Sequence, residues 1–310
     1  MIVVTGANGF VGNALHGTLK KSGKAVLGLD RSGGHGMTAI GAIMPDTDWT
    51  RYLQGASSVV HLAARVHVLR DQIDDPLQAF RMVNTYGTLN LALQAARAGV
   101  RRFVFVSSIK VNGESTVAGR PFRADDVPHP SDPYAISKLE AEQGLREIEA
   151  STGMELVIVR PPLVYGPGVR ANFANLMDWI SRGLPLPFGA VTENRRSLIA
   201  VQNLVDLIMC CTEHPPAAGQ LFLVSDGEDL STAELVRRMG IALDRPVRLV
   251  SVPPSFLVVA ARLTGKQHVA QRLLGSLQLD STKARNVLGW QPPLSITEGL
   301  FRAVKAFRRS

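Results

Sequence analysis

The chain has 310 residues, of which 45% are hydrophobic and 19% charged. That composition excludes a disordered or fibrous protein and gives room for one large α/β domain or two lobes. The formal charge of +8 comes from 34 Lys+Arg against 26 Asp+Glu, with no long basic run and no aromatic-interleaved patch. It points away from nucleic acid and towards anionic small molecules.

Cys210 and Cys211 are adjacent, so they build neither a disulfide framework nor a metal site, and a reducing compartment is expected. Met1-Ile2-Val3-Val4 leads into a glycine turn without a basic leader. The most apolar stretch, Phe256 to Ala261, is too short to span a bilayer. The expectation is a cytoplasmic protein in which that stretch is a core helix of a smaller lobe rather than an interfacial segment.

Ile2 to Thr5 reads as a short buried strand, followed at once by Gly6-Ala7-Asn8-Gly9-Phe10-Val11-Gly12. A helical stripe then runs through Val11, Leu15 and Leu19. Strand, glycine loop and helix in that order make a pyrophosphate cradle. Gly6 allows the tight turn, Gly9 the close backbone approach and Gly12 the helix packing, and the helix N-terminus faces the charge. A second strand, Ala25 to Leu29, ends in Asp30, 18 residues after Gly12. A carboxylate there accepts from the adenosine ribose 2′-hydroxyl and favours NAD. Arg31 beside it suits a 2′-phosphate instead, so NADP stays open.

Ser58 to Ala64 is another buried strand, ending in small residues that let backbone lie against a cofactor. His61 near its end reads as structural rather than as an acid or base. The stretch from Arg65 to Asp75 is irregular and polar. Pro76 opens a helix to about Ala98 that carries Asn84, and Val100 to Val106 is a strand rich in β-branched and aromatic residues. Strands alternating with helices imply an α/β fold with a parallel, doubly wound sheet.

Ser107 and Ser108 follow that last strand, at the carboxyl end where such sheets bind ligands. After Pro128, Pro130 and Pro133 comes a helix on which Tyr134 and Lys138 share one face at i and i+4. A lysine there favours the phenolate and lowers the tyrosine pKa. Ser108, Tyr134 and Lys138 can thus converge beside a nicotinamide for carbonyl–alcohol redox chemistry. Tyr134 moves the proton, Lys138 tunes it and holds the ribose, and Ser108 orients the substrate oxygen.

With these residues together, the chain resembles the extended short-chain dehydrogenase/reductase family, in the branch of sugar-nucleotide epimerases, dehydratases and 4-keto reductases. The resemblance rests on Thr5 to Gly12, Asp30, His61 to Ala64, Asn84, Ser108, the Tyr134/Lys138 pair, Arg160 to Gly168, and Arg196 with Ser197 to Val201. It covers essentially the whole chain. It implies a Rossmann fold with a smaller C-terminal substrate-binding lobe, NAD or NADP as cofactor, and a UDP-linked sugar as substrate. Cofactor contacts are implied at Gly6, Asn8, Gly9, Phe10, Val11, Gly12, Asp30, Arg31, Leu62, Ala63, Ala64, Asn84, Tyr134, Lys138 and Pro161.

The run from Val106 ends in Asn112-Gly113, where the branch's epimerases carry Tyr-Gly, and is more similar to quinovosamine-type 4-reductases of O-antigen gene clusters. The dehydratases' Asp-Glu pair after the catalytic serine or threonine has no counterpart. Glu114 stands alone, and Asp125-Asp126 lie nearer the tyrosine helix.

After Gly168 the composition shifts. Asn172 opens a helix to Arg182, and Gly183 to Pro187 turns back. Ser197–Val201 and Gln220–Val224 read as strands returning to the main sheet around a helix over Asn203–Thr212. Residues 1–168, with 196–225 returning, form the expected dinucleotide-binding domain; 169–195 and 226–310 form the substrate-binding lobe. Ser231-Thr232-Ala233-Glu234 is a capping box, and Asp280 to Trp290 reads as scaffold.

The resemblance implies diphosphate contacts from Asn172 and Arg196, with Arg272 in the basic stretch Arg262–Arg272 and Lys110 as further substrate-binding candidates. No metal is expected. The favoured reading is reduction of a UDP-2-acetamido-2,6-dideoxy-4-hexulose to a UDP-N-acetylquinovosamine-type product. The alternatives are a UDP-hexose or UDP-N-acetylhexosamine 4-epimerase with tightly bound NAD, and a non-catalytic cofactor-binding regulator. The expected partner is the UDP-sugar and, by resemblance, a second copy in a homodimer, with no nucleic acid or membrane.

Overall fold

Short runs of Val, Ile, Leu and Phe, apolar on both faces, build the strands of a buried parallel sheet. The structure, a computed structural model, describes residues 1–66, 74–117, 119–265 and 267–308. Its strands in chain order are β1 (Ile2–Thr5), β2 (Val26–Asp30), β3 (Thr38–Ala39), β4 (Ser58–His61), β5 (Arg102–Val106), β6 (Glu155–Arg160), β7 (Leu163–Tyr165), β8 (Arg196–Ala200), β9 (Leu221–Leu223) and β10 (Asp229–Leu230). Seven of them form one sheet in the order β3-β2-β1-β4-β5-β6-β9, every pair parallel. Because β1 lies between β2 and β4, the direction of winding reverses there, and the carboxyl edge at that reversal is where such sheets open a crevice.

The helices are α1 (Phe10–Lys21), α2 (Thr50–Leu53), α3 (Pro76–Phe80), α4 (Thr88–Arg97), α5 (Pro133–Thr152), α6 (Ala171–Ser181), α7 (Val201–Glu213), α8 (Thr232–Ala242), α9 (Pro254–Leu263), α10 (Gln267–Leu274), α11 (Thr282–Leu288) and α12 (Ile296–Phe307). One core holds Leu15 and Leu19 of α1 with Leu204 and Ile208 of α7 on one sheet face. A second holds Leu91 of α4 with Leu145 and Ile148 of α5 on the other. A third lies among α6, α8 and α12, around Phe173, Val236, Met239 and Leu300.

Three expectations change. Ser197–Val201 does not rejoin the main sheet: β8 pairs parallel with β7 and antiparallel with β10 in a separate three-stranded sheet, and β9 alone closes the main sheet beside β6. A short apolar strand carries no mark of which sheet edge it joins. The Pro76–Ala98 helix is continuous but widens between α3 and α4 into a π-helical stretch, Arg81–Gly87, with Asn84 at its middle. The Phe256–Ala261 stretch lies in α9, where only Ala261 is buried, so it is a surface helix and not a core one.

The capping box at Ser231 is half made. Ser231 accepts from the Glu234 N–H, but the Glu234 carboxylate pairs with Arg238; the reciprocal box forms at Ser295 and Glu298. Of the irregular stretch 65–75, residues 67–73 lie outside the described residues, as does Lys266 of the basic stretch 262–272. Among the described residues no helix is long and apolar enough to cross a membrane.

Beneath the site, the Arg160 guanidinium of β6 grips Glu142 of α5 in two bonds, at 3.0 and 2.5 Å, and donates a third to Asn112 at 2.8 Å. Both partners are buried. Removing one ion of such a pair leaves the other uncompensated in a low-dielectric interior. Arg160→Met therefore lowers the unfolding free energy by about 3–5 kcal/mol in urea denaturation, and adding Glu142→Leu restores most of the loss. Equal losses in the single and double variants would contradict this.

Candidate active site

Gly6 ends β1 with φ +67°, and a Cβ there would stand 2.7 Å from the Ala63 nitrogen after β4. At Gly12 a Cβ would meet the Gly6 carbonyl oxygen at 2.1 Å. Only glycine lets β1, the loop after β4 and α1 close on one another so tightly. Gly9 closes the turn, its N–H donating to the Gly6 oxygen at 2.9 Å, and caps α1. The amides of Phe10, Val11 and Gly12 follow in a first turn that leaves N–H groups without intrahelical partners. This is a cradle for an anion that a side chain would fill, and it fits a dinucleotide pyrophosphate.

Asn8 is exposed on the loop, and Ala7 donates to the Leu29 carbonyl, fastening the loop to the end of β2. There the Asp30 carboxylate accepts from the Ser32 N–H at 3.2 Å, with Arg31 exposed beside it. Leu62, Ala63 and Ala64 run past Gly6. These expected cofactor residues all gather at the carboxyl edge of β1, β2 and β4.

Two neighbours serve the scaffold instead. Asn84 is buried, and its amide bonds the Arg65 N–H and C=O and the Ser137 hydroxyl, so it clamps the loop after β4 to α5. Its side chain is turned to protein groups rather than held out to a cofactor. His61 is held between Thr5 and Thr88 at 2.6 and 2.9 Å and stacks on Phe105. Burial, with Lys138 nearby, pulls its pKa down to about 3, which keeps it neutral and structural.

Asp132 caps α5, accepting from the Ala135 N–H at 2.7 Å, and Pro133 fixes the first helical residue. Tyr134 is therefore locked in the first turn. Its hydroxyl hydrogen-bonds Ser108, the residue two beyond β5, and its ring meets Phe80 edge-on. One turn later Lys138 is buried, donating to the Val106 carbonyl at 2.8 Å with its nitrogen 4.0 Å from the Phe105 ring centre. The structure thus assembles Ser108, Tyr134 and Lys138.

The expected pKa relation does not hold. Burial and the Asp132 charge push Tyr134 up to about 12, against the opposing pull of the Ser108 bond. Lys138 is itself brought down to about 7 by burial, with Glu142 opposing. Desolvation outweighs the i, i+4 attraction because the ammonium turns to Val106 and not to the phenol.

Beyond Tyr134 opens a cavity of about 400 Å³. Ser108, Lys110, Tyr134 and Pro161 line it, together with Asn172, Arg196 and Arg272. All four expected substrate residues reach it. Lys110, however, spends its charge on Asp132, with Glu114 at 3.6 Å, and so braces the cap of α5. Arg196 and Arg272 make no ion pair among the described residues and oppose one another, and burial followed by Arg272 brings Arg196 down to about 10. Uncompensated guanidinium groups at a cavity wall suit a diphosphate. Arg170 adds a third arginine that the sequence reading missed. Its signal was its place two residues after Gly168, where the chain enters the wall.

The model of the NAD dependent epimerase/dehydratase family matches residues 2–224. A UDP-glucose 4-epimerase from Vibrio cholerae is 46% identical over 99% of this chain and 95% of its own length. The N-acetyl-alpha-D-glucosaminyl-diphospho-ditrans,octacis-undecaprenol 4-epimerase of Escherichia coli O157:H7 is 29% identical, over 98% and 94% respectively. Among solved structures, the UDP-glucose 4-epimerase from Thermotoga maritima superposes with a TM-score of 0.79 at 23% identity, covering 99% of this chain and 98% of that one. The last likeness concerns the fold.

Lowering of the Lys138 pKa from 10.5 to about 7 means that the unfolded chain binds more protons than the folded one between those values. Stability at this position therefore rises with pH across that window. Lys138→Met raises the urea midpoint of the cofactor-free protein near about pH 6, and the gain shrinks by about pH 9. A gain equal at both pH values, or none, would contradict the burial account.

Proposed function

The chain belongs to the NAD dependent epimerase/dehydratase family, and we propose that within it the chain is a 4-epimerase of a UDP-linked hexose or N-acetylhexosamine. It is an NAD(P)-dependent enzyme. One observation carries the proposal: a single cavity is lined both by Ser108 and Tyr134, a proton-transfer pair, and by Asn172, Arg196 and Arg272, groups suited to clamp a diphosphate. The 46% identity to the Vibrio cholerae epimerase over nearly the full length supports this reading ahead of the 4-reductase. The reductase reading leaned on Asn112-Gly113. Asn112 is buried and bonds Arg160 and the Arg123 carbonyl, so its identity reports on the scaffold and not on the sugar.

Gly6, Gly9 and Gly12 would hold the dinucleotide by its pyrophosphate, and once bound it would supply the acceptor and donor of hydride for C4. The protein's own groups do the rest. Ser108 donates to the C4 oxygen as negative charge develops there, an interaction stronger in the transition state than before it. Tyr134 accepts the C4 hydroxyl proton on oxidation and gives it back on reduction. Burial and Asp132 hold it as a neutral phenol, ready to donate in the reductive half; accepting in the oxidative half requires the phenolate, which the positive charge of an oxidised nicotinamide bound beside it would favour. Arg196, Arg272 and Asn172 keep the diphosphate while the 4-keto sugar presents its other face.

Purified protein with no added cofactor should interconvert UDP-glucose and UDP-galactose, or their N-acetylated counterparts, and release NAD on denaturation. NAD(P)H consumption with a UDP-4-keto-6-deoxy sugar, without any interconversion, would overturn the proposal. Tyr134→Phe should cut turnover by at least about a hundredfold while nucleotide binding persists. Unchanged turnover would remove Tyr134 from the chemistry.

A further inference from the structure

Between residues 245 and 279 the sequence carries five cations, Arg245, Arg248, Arg262, Lys266 and Arg272, and no Asp or Glu. Arg272 faces the cavity. Arg245, Arg248 and Arg262 are exposed and make no ion pair among the described residues. The same segment exposes large apolar side chains: Phe256 is 68% exposed, Val259 52% and Leu263 83%. On α9 these three recur at i, i+3 and i+7 and share one stripe, while Ala261, the buried residue of that helix, lies on the opposite side. A helix at a protein surface ordinarily turns its polar side to water. Here the outward stripe is apolar, Arg262 is on the same helix, and the residues flanking it in sequence are basic.

An apolar stripe on a helix too short to span, in a segment whose charges are all basic, is the composition of a helix that lies flat in a lipid headgroup boundary. The absence of carboxylates from this segment decides between two occupants. A second copy pairing through the same face would set a basic segment against itself. An anionic bilayer complements it in charge and takes up the apolar stripe at once. We infer that α9, with the basic segment around it, is a docking surface for an anionic phospholipid bilayer. Phe256, Val259 and Leu263 enter the headgroup boundary, and Arg262 meets phosphate. Since α10, next in the chain, supplies Gln271, Arg272 and Leu273 to the cavity wall, docking brings that wall to the lipid surface.

The test is co-sedimentation of the full chain with vesicles of phosphatidylcholine, with and without phosphatidylglycerol. The protein should pellet with the anionic vesicles, stay in solution with the neutral ones, and be released by high salt. Phe256→Asp with Leu263→Asp, both at exposed positions, should weaken vesicle binding by roughly tenfold or more with the thermal melt and the sedimentation coefficient unchanged. Failure of the unaltered protein to pellet with anionic vesicles would overturn the inference. So would undiminished binding by the double variant, or its dissociation from dimer to monomer, which would assign the stripe to a second copy.

Discussion

Burial of the Lys138 ammonium against the end of β5 is the constraint from which the site takes its geometry. Its bond to the Val106 carbonyl ties α5 to the strand that, two residues later, delivers Ser108. Holding the lysine and presenting the serine to Tyr134 are therefore one act of packing. Asn84 reinforces it from the π-helical side through Ser137, whose hydroxyl also donates to the Tyr134 carbonyl. Asp132, braced by Lys110, fixes the helix start. A shift in any of these moves the phenol relative to the cavity.

The electrostatics divide the residues around the cavity into two groups. Around Tyr134, charge is suppressed: Tyr134 is held neutral, burial brings the Lys138 pKa down to about 7, and Lys110 pairs with Asp132 and Glu114. Elsewhere on the same cavity, Arg196 and Arg272 make no ion pair among the described residues, despite the burial of Arg196. Such a pair costs folding energy unless an anion arrives. Arg160, by contrast, is fully compensated, by Glu142 and by Asn112.

What the sequence made legible were local rules with a steric or periodic cause. The glycines at 6, 9 and 12 are required by contacts that leave no room for a Cβ, and spacing puts Tyr134 and Lys138 on one helix face. Relations between distant segments were not legible. Nothing in Ser197–Val201 says that β8 leaves the main sheet, and nothing local says that the Asn84 amide is consumed by Arg65 and Ser137. Hydropathy made Phe256–Ala261 look like core because composition does not record which side of a helix has a partner. The Tyr134 pKa went the other way because burial, a property of the fold, outweighs a neighbour four residues along.

The central claim is that the hydride removed from C4 returns to the same sugar. Turnover of UDP-glucose carrying deuterium at C4, in the presence of unlabelled NADH and followed by NMR, tests it directly. The account predicts UDP-galactose with the deuterium retained at C4 and none in the NADH pool. Loss of the label to free NADH, or a product carrying hydrogen at C4 from that pool, would contradict it.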